Sequence, residues 1–209
     1  VYKRQMMDTI LNLGINDQIV AGLAKMMGDP RPAYDAYRRF LQIYSEVVMG
    51  VEAEAFEKVL NEHKARAGVT QDFQLSTEQL KEVVSGFKQV AKAATDSEPP
   101  SDPWEQLMAA VEAVFRSWNT PRAVFYRDLH KIDHSMGTAV TIMAMVFGNL
   151  GPTSGTGVLF TRNPSTGVAT VYGEFLSNAE GEDVVAGVRT TQPIASLRDE
   201  MPENYDQLM

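Results

Sequence analysis

Asn149-Leu150-Gly151-Pro152-Thr153-Ser154-Gly155-Thr156-Gly157 is the stretch on which the reading of the fold turns. It lies between two apolar runs that read as strands, residues 138–147 and 158–161. Its glycines and small hydroxyl residues leave backbone N–H groups uncovered, and amides that converge on one point suit a polyphosphate. The stretch leads into a strand, whereas the commoner nucleotide folds lead from a glycine loop into a helix. It lacks the Gly-Lys-Ser/Thr of a Walker loop and the third glycine of a dinucleotide fingerprint, so both are rejected. The bland alternative is a plain strand connection, since glycine-rich loops are common.

Downstream, residues 157–161 and 168–175 read as strands flanking Arg162-Asn163-Pro164-Ser165-Thr166-Gly167, which has the chemistry of a hairpin turn. Asn178-Ala179-Glu180-Gly181 then precedes Glu182-Asp183. Adjacent carboxylates in a loop can reach one side together, for a magnesium ion or for ribose hydroxyls; in a strand they would point to opposite faces. The alternative is a solvated acidic turn. Residues 184–188 read as a short strand or a helix start, and the acidic tail after Pro193 as helical from about Asn204.

Upstream the pattern is helical. Asn16 or Asp17 caps a helix through Ile19, Val20 and Leu23 that stops at Gly28. Asp29-Pro30 opens the next, with Tyr34, Tyr37, Phe40, Leu41, Tyr44, Val47 and Val48 at helical spacing and Gly50 at its end. A third carries Phe56, Val59 and Leu60 and ends near Gly68. Ser76-Thr77-Glu78-Gln79 is a capping box for a fourth, whose internal Gly86 costs roughly 1 kcal/mol against alanine. Asp102-Pro103 with Glu105 opens a long helix from Trp104 to Trp118, and a further one covers 122–131. Helices first and strands last predict an α+β fold, a helical subdomain beside a mixed sheet.

The chain has 209 residues, 44% hydrophobic and 22% charged, enough for one large domain or two small ones. Nineteen Lys and Arg against 27 Asp and Glu leave a formal net charge of −8. That balance argues against sequence-independent nucleic-acid binding, which needs a basic face. No cysteine is present, which removes disulfides, thiol nucleophiles and thiolate metal sites and fits the cytoplasm. No apolar run is long enough to span a membrane.

Arg122, Arg127 and Arg162 could meet phosphate or carboxylate in bidentate fashion, or be surface charge. Arg38-Arg39, among aromatics at helical spacing, read as side chains snorkelling around a core face. Met and aromatic positions of the first hundred residues read as core. His130 and His134 stand four apart, but no third ligand completes a metal set nearby, so no metal residue is assigned.

The quoted stretch belongs to a longer set of blocks in one order. These are Met6-Met7-Asp8-Thr9-Ile10-Leu11-Asn12-Leu13-Gly14, Ala36-Tyr37-Arg38-Arg39-Phe40, Ala113-Val114-Phe115-Arg116-Ser117-Trp118, Met145-Val146-Phe147-Gly148-Asn149, Thr153-Ser154-Gly155-Thr156-Gly157-Val158, Phe160-Thr161-Arg162-Asn163-Pro164 and Gly181-Glu182-Asp183-Val184-Val185-Ala186-Gly187. Together they resemble the N-terminal nucleotide-binding domain of the pyruvate, phosphate dikinase family, over about Met6 to Met209. Phosphoenolpyruvate synthase, which reuses such a domain, is the nearest alternative; a non-catalytic helical interaction module, binding through the Tyr34–Val48 face, is the other.

The resemblance implies an ATP-grasp fold, incomplete at both ends, with residues 6–15 and 103–147 in a first subdomain. A helical subdomain, 16–102, would interrupt it, and 148–209 would belong to a second. It implies ATP and Mg2+ as cofactors, and a pyrophosphoryl group passed from ATP to a histidine on a separate, swivelling domain of the parent chain. That histidine is outside this sequence, so His63, His130 and His134 inherit no such role. By position, Ser154, Gly155, Thr156 and Gly157 fall in the family's phosphate loop, and Glu182 and Asp183 line the nucleotide cleft. Arg122, Ser165 and Glu174 fall where the histidine domain docks. The parent is expected to be a cytoplasmic homodimer, and this piece alone inactive. Residues 1–5 lack the family's Ser-Gly-Ala-Arg-Ala-Ser-Met-Pro-Gly run, and Thr141 and Met143 stand where the family commonly has asparagine and glutamine.

Overall fold

The computed structural model describes residues 6–185, 187 and 189–209; the expectations placed on residues 1–5, Ala186 and Val188 lie outside them. The described residues fall into two compact units divided after Met145.

The first unit is helical: α1 (Ile19–Met27), α2 (Pro30–Val47), α3 (Ala53–Ala67), α4 (Thr77–Thr95), α5 (Pro103–Ser117) and α6 (Pro121–His130). Caps set the starts. Asn16 Oδ1 accepts from the N–H of Gln18 and Ile19, Asp29 from Arg31, and Asp102 from Trp104 and Glu105. Ser76 and Gln79 form the reciprocal box that opens α4. Left-handed Gly28 (φ 73°) and Gly68 (φ 68°) end α1 and α3, a conformation other residues adopt at a steric cost.

Helix α2 packs chiefly against α4 and α1. Tyr37, Phe40, Leu41 and Tyr44 meet a core that includes Leu80, Val83, Val84 and Phe87 of α4 and Phe56 of α3, all buried. Phe56 and Phe87 meet edge to face, centroids 5.1 Å apart. A Cβ on Gly86 would stand 2.8 Å from Val59 Cγ1, so the glycine admits the close approach of α3 and α4. Met26 and Phe73, expected inside, are exposed.

Arg38 and Arg39 do not snorkel. Arg38 Nε lies 2.8 Å from Asp35 Oδ1, Arg39 Nε 3.2 Å from Asp35 Oδ2, and Arg38 also reaches Asp72 at 3.0 Å. Asp35 sits three and four residues before the arginines, on their own helix face, so the charges are buried as a group. Lys64 of α3 completes the network on Asp72.

His63 is buried on α3, with Arg66 NH2 2.8 Å from Nε2 and Glu82 of α4 3.5 Å from Nδ1. Burial and the Arg66 guanidinium hold its pKa below the usual imidazole value, against the pull of Glu82 and Glu62. The unfolded chain takes up this proton near pH 6.5, the folded chain only at lower pH. This contribution is therefore complete above about pH 6.5 and is lost as the pH falls below it. Thermal melts between pH 8 and 5 should show the helical unit losing stability on acidification, with a shallower slope in His63→Gln; parallel slopes would count against this assignment.

Residues 138–147, expected as a strand, form none. Their backbone pairs with no other strand among the described residues, and Ile142, Met143 and Val146 are exposed. β-branched, apolar composition favours an extended chain, but a ladder needs a partner.

In the second unit β1 (Gly155–Phe160), β2 (Tyr172–Ser177) and β3 (Gln192–Pro193) form an antiparallel sheet in that order, not the mixed sheet expected. Short helices α7 (Gly181–Val185), α8 (Leu197–Glu200) and α9 (Pro202–Leu208) accompany it. Phe175, Ile194 and Leu197 form its core, with Leu159, Met201 and Tyr205 packed around them. The α+β class thus holds. β1 opens inside the glycine stretch, and β2 begins at Tyr172, four residues later than expected, because residues 168–171 belong to the connection.

Candidate functional site

The quoted stretch divides in two. Residues 148–154 form turns laced to the chain that leaves β2. Ala179 N–H donates to Gly148 O (2.9 Å), Asn178 N–H to Ser154 O (2.7 Å) and Gly151 N–H to Asn178 Oδ1 (3.2 Å). Gly151 (φ 133°) makes the bend, and a side chain on Gly148 would collide with the carbonyls of Ala179 and Gly155. Asn149 is buried with neither amide atom hydrogen-bonded among the described residues.

Gly155, Thr156 and Gly157 are not a loop tip but the start of β1, paired with Ser177, Leu176 and Phe175. The reason is steric. A Cβ on Gly155 would lie 2.8 Å from Leu176 O, and one on Gly157 2.7 Å from Glu174 O, so glycine lets the strands close. Ser154 spends its N–H on Gly151 O (3.0 Å).

The register says which amides remain. The Asn178-to-Ser154 hydrogen bond makes Gly155 a non-hydrogen-bonded partner of Ser177, and bonding alternates along an antiparallel pair. Gly155, Gly157 and Leu159 therefore turn their N–H groups away from β2. β1 is the edge strand, so these amides face an edge that no described strand covers.

Thr156 points to the side of α7: a Cβ on Gly181 would be 3.8 Å from Thr156 Oγ1. The structure thus brings Thr156 to Gly181, the first residue of the helix that carries Glu182 and Asp183. The acidic pair lies on a five-residue helix, not in a loop. Successive helical residues diverge by about 100°, so the two carboxylates do not face one way together. Asp183 Oδ2 accepts the Glu180 N–H at 3.0 Å, and both acids are half-buried. Arg189, which sequence reasoning passed over, joins the same turn: its NH1 donates to Asn178 O at 2.9 Å. Its only signal was position, two residues beyond the Gly181–Gly187 block.

The expected docking residues are distributed over both units. Ser165 is exposed at the tip of the 161–171 connection, where Asn163 Oδ1 accepts from the N–H of Ser165 (2.9 Å) and Thr166 (3.1 Å). Glu174 lies on β2, exposed, accepting from Thr191 Oγ1 at 2.6 Å. Arg122 opens α6 in the helical unit, where NH2 donates to Asp8 Oδ1. Arg127 is buried: its guanidinium stacks on Trp118 (3.9 Å), Nε donates to His134 Nδ1 (2.9 Å) and NH1 to Trp118 O (2.6 Å). His134 turns Nε2 to Asp128 at 2.9 Å, and His130 lies against Tyr126.

What this set can do is hydrogen-bond. Two edge amides and a threonine hydroxyl donate, which suits phosphate oxygens; a neighbouring carboxylate accepts, which suits hydroxyls. No group of three or more His, Asp or Glu able to hold a metal occurs among the described residues, and none of their helices is long and apolar enough to cross a membrane.

The family model described as "Pyruvate phosphate dikinase, AMP/ATP-binding domain" matches residues 5–204. Pyruvate, phosphate dikinase of Clostridium symbiosum is 57% identical over 205 residues, covering 98% of this chain and 24% of the relative. Pyruvate, phosphate dikinase 1, chloroplastic, of Arabidopsis thaliana is 55% identical, covering 98% of the chain and 21% of the relative. The Rhizobium meliloti dikinase is 56% identical over 189 residues, 90% of the chain and 21% of the relative. The chain spans about a quarter or less of the length of these curated relatives.

Proposed function

Because the chain belongs to the AMP/ATP-binding domain family of pyruvate phosphate dikinase, we propose that it is the nucleotide-binding part of such a dikinase and that its sheet unit is one portion of an ATP-grasp cleft. The observation that carries the reading is the meeting of Thr156 with the start of α7, beside the uncovered amides of Gly155 and Gly157.

In this reading the Gly155 and Gly157 amides and the Thr156 hydroxyl bind the polyphosphate of ATP, and Glu182 accepts from the nucleotide's hydroxyls. An imidazole nitrogen of the parent's histidine domain attacks the β-phosphorus. An N–P bond forms, the bond from the β-phosphorus to the bridging oxygen breaks, and that oxygen leaves with AMP. Phosphoryl-type transfer needs positioned donors more than covalent help from the protein. The buried amide of Asn149 supports a polar ligand at the base of the turn, since a buried, unbonded amide costs about 1–3 kcal/mol. Arg122, Ser165 and Glu174 receive the histidine domain, in a homodimeric, cytoplasmic parent; the plant relatives carry "chloroplastic" in their names, so compartment varies among dikinases.

Magnesium is expected with the nucleotide, but Glu182 and Asp183 diverge on α7 and Asp183 is engaged by Glu180, so this pair does not make a magnesium clamp. The test is isothermal titration of MgATP into this chain carried within a full-length dikinase. Submillimolar binding, weakened about tenfold by Thr156→Val, is expected for loss of one phosphate hydrogen bond. No binding, or binding indifferent to Thr156, would overturn the reading.

A further inference from the structure

Arg122 is not a bare surface cation. Its NH2 donates to Asp8 Oδ1 across 114 residues of sequence, and its side chain is 42% exposed against 27% for Asp8. Asp8 is itself anchored: its N–H donates to Ser117 Oγ (3.1 Å), and that hydroxyl donates to Val114 O (2.7 Å). Ser117 is only 2% exposed, at the end of α5. Thr120 then ties the start of α6 to the same place, with Oγ1 donating to Ser117 O (2.9 Å) and accepting from Ala123 N–H. A buried serine thus fixes an aspartate, and the aspartate fixes one terminal nitrogen of an arginine. No other hydrogen bond of that guanidinium occurs among the described residues, so its remaining donors have no partner among them.

We infer that Asp8 is a specificity-determining counter-charge for Arg122: it cancels the arginine's net attraction for free anions while leaving its remaining N–H groups aimed at a protein surface. The inference rests on the docking role proposed for Arg122. An unneutralised, half-exposed arginine draws any phosphate through charge alone, the polyphosphate of the nucleotide proposed above included. A carboxylate at hydrogen-bond distance removes most of that attraction. Hydrogen bonding to carbonyl or hydroxyl acceptors survives, because the guanidinium keeps its unshared donors. Selection then passes from charge to shape.

The test uses the 209-residue chain and inorganic phosphate, followed at the Arg122 Nε–H resonance. Asp8→Asn, nearly isosteric, should tighten phosphate binding at Arg122 about tenfold, the factor expected for deleting one neighbouring negative charge near a protein surface. Asp8→Glu should restore weak binding, and Arg122→Gln added to Asp8→Asn should abolish the gain. Ser117→Ala, which keeps the carboxylate but frees the segment carrying it, should give a smaller gain in the same direction. Equal phosphate affinity in wild type, Asp8→Asn and Ser117→Ala would overturn the inference, as would a gain that survives Arg122→Gln. The docking reading fails separately: it falls if Arg122→Gln in a full-length dikinase leaves phosphorylation of the histidine domain intact, whatever the phosphate titration shows.

Discussion

Gly157→Val is expected to open the β1–β2 ladder, to cost about 3 kcal/mol, and to reduce nucleotide affinity roughly a hundredfold. A Cβ at this position would stand 2.7 Å from Glu174 O and 3.1 Å from Phe175 Cβ. The first is backbone of the paired strand and cannot turn aside as a long side chain would. The second belongs to a residue 3% exposed in the core of the sheet unit, so β2 cannot retreat without disturbing Ile194 and Leu197. Overpacking a well-filled site costs about 1–3 kcal/mol, and a β-branched residue against backbone belongs at the upper end. The affinity loss follows because the Gly157 amide and the Thr156 hydroxyl ride on the strand that is displaced. Amide exchange at Glu174 and Leu176, whose N–H groups face β1, with MgATP titration of the longer protein, reads both effects. Val158→Ala, one residue along and 39% exposed, should shift stability by no more than about 0.5 kcal/mol. Wild-type protection of Leu176 in Gly157→Val would mean that the strand pairing described here is wrong.

Those glycines also mark where sequence reasoning ran out. Asn149–Gly157 advertised close backbone approach, but composition cannot tell an open loop from a strand pressed against its neighbour. The distinction lies in Glu174 and Leu176, some twenty residues on. The helices were legible because their signals are local. Asp102 with Pro103, the Ser76–Gln79 box and Gly28, Gly50 and Gly68 act within a few residues of themselves. Residues 138–147 misled for the opposite reason: an apolar run with β-branched residues describes what a chain tolerates, and pairing is decided elsewhere. The site divides the same way. Thr156 and the Glu182-Asp183 pair were each visible, but the approach of Thr156 to Gly181 at the start of their helix depends on the return of β2 and the turn at Asn178. The Asp8–Arg122 pair, 114 residues apart, had no local trace at all. Asp35 did have one, three and four residues before two arginines, but the aromatic neighbours drew attention to packing instead of charge.

That overlooked aspartate carries the largest stability effect expected in the helical unit. Asp35→Ala should destabilise it by about 3–5 kcal/mol, the usual cost of removing one partner from a buried ion pair. The Asp35 side chain is 6% exposed, and those of Arg38 and Arg39 are 5% and 10%. Without the carboxylate, Arg39 loses its 3.2 Å contact and Arg38 is left with Asp72 as its carboxylate partner among the described residues. Burial alone would raise the Asp35 pKa, but the guanidiniums of Arg38, Arg39 and Arg31 reverse this and lower it from 3.8 to about 2. A carboxylate depressed in the folded state stabilises fully above its unfolded pKa and ceases to do so as the pH falls through the folded one. The charge of Asp35 is thus worth about 2 kcal/mol at neutral pH, surrendered between about pH 4 and pH 2. Acid should therefore act on the helical unit in two separate ranges, below about pH 6.5 through His63 and below about pH 4 through Asp35. Urea unfolding followed at Trp104 and Trp118 across pH 7 to 2 resolves them: Asp35→Ala should lose the lower step and keep the upper one, and an unchanged lower step in that variant would move the acid sensitivity to other carboxylates.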